Sequence, residues 1–201
     1  LYTIRQGVPA ADAVLEMLRE YGYEARYDGS VKIGFYLRRI SRAGVNAGGE
    51  VPPLLWETVR RDGLTLTNSH DEDSIGEWDY TSGSGWMYCI NGMYPGKGLS
   101  EWYLNDGDVL CLRFTLAYGK DIGGYRATGG SYGSFNGYCY SWIDGDMLPL
   151  GHWFEETERI EPTESEAGYI LRTCRRCGEV EEEWPPPLGS DLPEDEQGGS
   201  T

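Results

Sequence analysis

Apolar residues recur at helical spacing most clearly near the start of the chain. Ala11, Val14, Leu15 and Leu18 fall at i, i+3, i+4 and i+7, one face of a helix. Gly7-Val8-Pro9 precedes them, and a proline suits a first helical turn because its missing N–H would have had no partner there. Asp12 stands where the helix dipole favours a carboxylate, and Gly22 can end the run in a left-handed conformation. The pattern predicts a helix over about residues 9–21. Beyond it the periodicity shortens. Val31 to Ile40 reads as a strand, and Leu54 to Arg60 fits a short helix or a strand equally well. Trp86 to Ile90 reads as a strand that turns at Asn91-Gly92, since both central positions of a type I′ turn need positive φ. Trp102 to Leu104 reads as a short strand and Asn105 to Asp108 as a second turn. Val109 to Leu116 is a third strand, with Leu110, Leu112, Phe114 and Leu116 on one face.

Glycine and aromatic residues are abundant, with 29 Gly, 15 Tyr and 7 Trp in 201 residues. Such a composition favours short strands and turns over a helical bundle. The Gly-, Ser- and Tyr-rich stretch from Gly119 to Gly137 reads as a loop or extension rather than a core element. His152 to Trp184 reads as a separate unit with two strand-like runs, closed by Pro185-Pro186-Pro187. The last fourteen residues are acidic and Gly-rich, a composition expected to remain disordered. The chain starts Leu1-Tyr2-Thr3-Ile4, without Met and already strand-like, as expected of a processed or excised chain.

Three motifs together carry a resemblance. They are the helix with Ala11-Asp12-Ala13-Val14-Leu15, the run Gly85-Trp86-Met87-Tyr88-Cys89-Ile90-Asn91-Gly92, and Gly98-Leu99-Ser100-Glu101-Trp102-Tyr103-Leu104-Asn105-Asp106-Gly107-Asp108-Val109. The combination resembles the transcobalamin-like C-terminal domain family of bacterial exported proteins, relatives of the C-terminal domains of transcobalamin and intrinsic factor. It covers roughly residues 1–124. The segment from Glu161 to Gly178 is similar to a short Cys-x-x-Cys-Gly module of bacterial surface proteins. The resemblance implies an α+β fold: a small β-grasp-like domain, one helix on a mostly antiparallel sheet, with a small β-hairpin module at the C-terminus. It divides the chain into a domain over 1–124, an extension over 125–150, the hairpin module over 151–187 and a tail over 188–201. It also implies a non-catalytic, extracellular or cell-surface binding module within a larger protein. Its ligand would be a small flat molecule such as cobalamin, or a partner domain. A structural or adhesive spacer is the alternative. Nothing in the chain resembles the helical domain against which the animal relatives hold cobalamin, and Cys89 and Cys111 stand where other residues are expected.

The net charge is −16. An acidic protein gains nothing from counterion release on a phosphate backbone, so no nucleic-acid partner is expected. From Gly151 onward there are 14 acidic and 4 basic residues, so the front of the chain carries only −6 of that charge. No run of 18 apolar residues occurs, so no transmembrane helix is expected.

Trp86, Tyr88, Tyr94, Trp102 and Tyr103 are the ligand candidates, because large rigid aromatics stack on flat molecules at little entropic cost. The opposing reading is that they pack the core. Asn91-Gly92, Asp106-Gly107-Asp108 and Asp144-Gly145-Asp146 are turn sequences, without the six to eight oxygens that calcium takes. Five cysteines is an odd count. Cys174 and Cys177, with His152 and Cys139 upstream, have the donor set of a tetrahedral zinc site. A disulfide in an oxidising exterior and unmodified thiols are the other readings. His70 lies near Ser69, Asp71 and Asp73, yet sequence neighbours are not a triad. No Gly-x-Ser-x-Gly elbow, Walker motif or strand–Gly-x-Gly-x-x-Gly–helix fingerprint occurs, so no catalysis is expected.

Overall fold

The computed structural model describes residues 7–67, 70–128 and 132–190. The strand expected at Leu1 to Ile4, the position of Ser69 and the tail from residue 191 lie outside the described residues. Contacts divide the chain into two compact units, Leu1–Gly151 and His152–Thr201.

The first helix, α1, spans Ala10–Glu20. Ala10, Ala11, Ala13, Val14 and Leu18 are buried on one face, while Leu15 is half-buried. Gly22, at φ 75°, ends it as a left-handed residue. Two strands then pair antiparallel, β1 (Glu24–Ser30) and β2 (Ile33–Ser41), and β3 (Ser74–Gly76) adds to β2. Phe35, Leu37 and Ile40 of β2 close on the α1 face. From the other side come Tyr88 and Ile90 of β4 (Gly85–Ile90), with Leu99 and Leu104 from the following segment. β4 pairs only with β5 (Leu110–Thr115) among the described strands. Asn91 and Gly92, at φ 51° and 80°, reverse the chain after β4, as their sequence requires.

A second core forms where a loop was expected. Residues 53–61 form a second helix, α2 (Pro53–Arg61), with Pro53 in its first turn and Leu55 and Val59 buried. These two pack with Tyr80, Leu116, Ala117 and Tyr138. Lys120, Asp121 and Ile122 of the Gly-rich stretch are buried rather than exposed. Lys120 Nζ lies 2.7 Å from Asp62 Oδ2, and the two side chains are 2% and 0% exposed. Asp62 Oδ2 also accepts from Tyr138 Oη at 3.0 Å, and Asp62 Oδ1 accepts from Phe135 N at 2.7 Å. Burial and the Asp62 carboxylate together push the Tyr138 phenol well above its ordinary range. Gly133 sits at φ 81° against Asp62, where a Cβ would come within 2.6 Å of the Asp62 carbonyl oxygen. The unit ends in a hairpin, β6 (Tyr140–Ile143) and β7 (Asp146–Pro149), turned at Asp144-Gly145.

The second unit is a three-stranded antiparallel sheet in the order β10-β9-β8: β8 (Phe154–Ile160), β9 (Tyr169–Cys174) and β10 (Val180–Glu183). Leu188 N and Gly189 N donate to the carbonyls of Thr163 and Glu164 at 2.8 and 3.1 Å. The start of the segment expected to be disordered is thus ordered. Among its described apolar residues only Ile170 and Cys174 are buried.

This architecture overturns the expected fold class. The described residues form ten strands in four small antiparallel sheets, with two α-helices, rather than one helix on a single β-grasp sheet. The C-terminal module is a three-stranded sheet, not a hairpin. The physical cause is that β4–β5 does not join β1–β2–β3, so a second helix and the Gly-rich segment close a second core. Trp102 to Leu104 is not a strand: Tyr103 makes an isolated bridge to Pro9. No helix among the described residues is long and apolar enough to cross a membrane.

Removing one member of a buried ion pair strands the other charge, at a cost of about 3–5 kcal/mol. Asp62→Ala is therefore expected to lower unfolding free energy by that order in a denaturant titration, whereas exposed Asp12→Ala shifts it by less than about 0.5 kcal/mol.

Candidate metal centre and aromatic cleft

β9 runs into the metal candidate. Its last residue is Cys174, and Gly178 at φ 73° lets the chain turn back at once into β10. The turn is closed by Gly178 N to Cys174 O at 2.8 Å and Cys174 N to Glu179 O at 2.7 Å. Backbone amides converge on the buried Cys174 sulfur: Trp153 N at 3.3 Å and Arg176 N at 3.4 Å. Burial raises the Cys174 thiol pKa. The amides of Trp153, Arg176 and Cys177 and the His152 side chain lower it by more, leaving it at about 6. The thiolate that a metal requires is thus favoured by the fold itself. His152 Nδ1 lies 3.4 Å from Cys177 Sγ, and its ring stacks on Phe154 at 5.3 Å between centroids. Its other nitrogen, Nε2, faces Glu179 Oε2 at 3.6 Å.

The ligand atoms of His152, Cys174 and Cys177 lie within 4.8 Å of one another. Tetrahedral zinc with Zn–S near 2.3 Å and Zn–N near 2.0 Å separates such atoms by about 3.3–3.8 Å. The His152–Cys177 distance already falls in that range, and the group is at metal-binding distance. Glu179 occupies the position of the carboxylate that fixes a ligating imidazole. Sequence reading did not single it out, although it directly follows the Cys-x-x-Cys-Gly motif. Cys139 belongs to the first unit, buried just before β6, where its carbonyl accepts from Leu150 N at 2.7 Å. Cys89 and Cys111 face each other across the β4–β5 ladder.

The five aromatic candidates do not form one patch. Trp86 and Tyr88 line a cleft of about 340 Å³ together with Phe35, Leu37, Leu99 and Leu112. Trp86 Nε1 donates to Ile75 O at 3.1 Å, and Tyr88 Oη donates to Lys97 O at 2.7 Å. Tyr94 and Trp102 are half-buried outside that cleft, and Tyr94 Oη and Trp102 Nε1 find no hydrogen-bond partner among the described residues. Tyr103 is exposed. Ser69 lies outside the described residues; His70 stacks on Tyr80 at 4.9 Å, and the carboxylates of Asp71 and Asp73 accept backbone amides of Asp73 and Gly44.

Comparison of the chain with protein-family models, curated proteins and solved structures finds no match.

If Glu179 orients the His152 imidazole, Glu179→Gln should weaken zinc affinity about 10–100-fold without removing any ligand. Competition against a chromophoric chelator measures this.

Proposed function

We propose that the chain is a non-catalytic binding module of an extracellular or surface protein, in keeping with its resemblance to transcobalamin-like C-terminal domains. The observation that carries this reading is the cleft beside β2 and β4. Its volume of about 340 Å³ lies at the lower end of the roughly 300–1,000 Å³ of small-molecule sites. Its wall is apolar and aromatic, with Lys97 and Thr128 as polar groups. That supports a flat, largely apolar ring system seated on Trp86. A whole corrinoid exceeds the cleft, so cobalamin would enter it by one edge and need a partner domain for the rest. Titration with cobalamin and simpler flat heterocycles, followed by tryptophan fluorescence, tests this. Saturable quenching that is lost in Trp86→Ala is expected. No saturable change with any of them contradicts it. The spacer reading is favoured by one specific observation, the half-burial of Tyr94 and Trp102 away from the cleft.

The metal part of the reading is a structural zinc on Cys174, Cys177 and His152, with Cys139 as the fourth ligand. Cys139 is the next cysteine upstream of the pair in the sequence and supplies the remaining thiolate of a tetrahedral donor set. Three thiolates and an imidazole complete a closed structural site. Protein purified without added zinc is expected to carry one zinc per chain. Cys174→Ser and Cys139→Ser are each expected to lose it. Oxidised thiols without metal would establish the disulfide alternative.

A further inference from the structure

A second cleft, of about 350 Å³, lies on the β1–β2–β3 sheet and is lined by Arg26, Asp28, Arg38, Arg39, Glu77 and Trp78. Trp78 is the unusual member. It is 59% exposed, and its backbone sits at φ 68°, a region bulky side chains rarely enter. Residues held so against preference mark functional sites when their surroundings over-determine them. Here they do. Thr67 Oγ1 donates to Trp78 O at 2.8 Å, and Glu77 N donates to Arg38 O at 2.8 Å. The Arg39 guanidinium grips both oxygens of Asp79 at 2.7 and 2.8 Å, while Asp79 Oδ2 accepts Gly76 N at 2.8 Å. The turn that presents the indole is therefore locked in place independently of any ligand, which cuts the ordering cost of binding. A register shift in the β1–β2 ladder falls between Arg26 and Tyr27, beside the cleft. Such irregularities re-aim side chains.

The polar groups define the ligand. Arg38 bridges Asp28 and Glu77, at 2.6 and 2.5 Å. With Asp79 beneath Arg39, three guanidinium groups stand against three carboxylates, so the cleft has no net charge. An anion would meet the carboxylates inside a protein of charge −16, and a cation would meet the guanidinium groups. The arginines only donate and the carboxylates only accept, in fixed planar directions. A neutral molecule rich in hydroxyls uses both at once, since each hydroxyl donates and accepts. An exposed indole adds a flat face for an apolar C–H surface. We propose that this cleft binds a neutral saccharide, a pyranose face stacking on Trp78 while its hydroxyls bridge Arg26, Arg38, Asp28 and Glu77.

The two clefts share no lining residue, although Tyr36 of the Trp86 cleft donates to Glu77 Oε1 at 2.9 Å. The test is an array of neutral oligosaccharides (β-glucan, mannan, galactan and N-acetylhexosamine oligomers), followed by calorimetric titration of the whole chain with any binder. Binding is expected, with an affinity that changes little between low and high salt. Trp78→Ala should weaken it at least about tenfold, the loss of one aromatic stacking contact. Trp78→Phe should retain most of it, and Trp184→Ala, exposed in the other unit, should leave it unchanged. If Trp78→Ala misfolds, Arg26→Ala, which removes only a cleft donor, must weaken binding several-fold. The proposal is overturned if no neutral member binds, if a folded Trp78→Ala binds as well as the parent, or if binding is confined to anionic sugars and vanishes with salt.

Discussion

Every sheet among the described residues is small. Two have two strands and two have three, and a two-stranded ribbon is marginal in water on its own. Cohesion must then come from side chains that bind distant segments together. In the first unit that task falls to Asp62. Its carboxylate, at the end of α2, accepts from Lys120, Phe135 and Tyr138, drawing the Gly-rich stretch over the second core. A lysine is almost never buried unless paired, and here the pair is held in place by neutral donors that satisfy the remaining lone pairs. The first core needs no such device, because α1 supplies a continuous apolar face to β2 and β4.

The second unit meets the same constraint with fewer means. Among its described residues one isoleucine and one cysteine make up the buried apolar side chains, and Trp184 covers Tyr169 only at the surface. A domain this short commonly depends on a metal, a disulfide or a neighbour. The knuckle at Cys174–Cys177 fits that need. Its amides already point at sulfur, and its histidine is flanked by a carboxylate. A metal there would act on folding rather than on chemistry.

How much of this could be read in the sequence follows from what each element owes to local signals. α1 shows itself through i, i+3, i+4 spacing with a proline before it and a glycine after it. The β4 turn shows itself because Asn-Gly is a strong local preference. The Cys-x-x-Cys-Gly motif marks the metal candidate for the same reason. β1 is nearly all exposed and β10 is Val-Glu-Glu-Glu, so neither has an apolar alternation to read; pairing makes them strands. α2 is nine residues long, too short for periodicity to separate it from a strand. The burial of Lys120 and Asp121 depends on Asp62 and Thr115, partners that no local pattern indicates. Because the second core rests on these non-local pairings, the fold class was not legible. The aromatic candidates share the same history: Trp86 and Tyr88 belong to a readable strand and reach a cleft, whereas Tyr94 and Trp102 pack elsewhere.

The dependence of the second unit on a metal is the claim most open to direct measurement. Amide hydrogen exchange, followed by mass spectrometry before and after stripping with a strong chelator, reads both units in one sample. A structural zinc predicts that protection over 154–183 collapses on chelation while protection over 10–20 and 85–115 persists, and that adding zinc restores it. Unchanged protection over 154–183 in metal-free protein with reduced thiols would contradict the account.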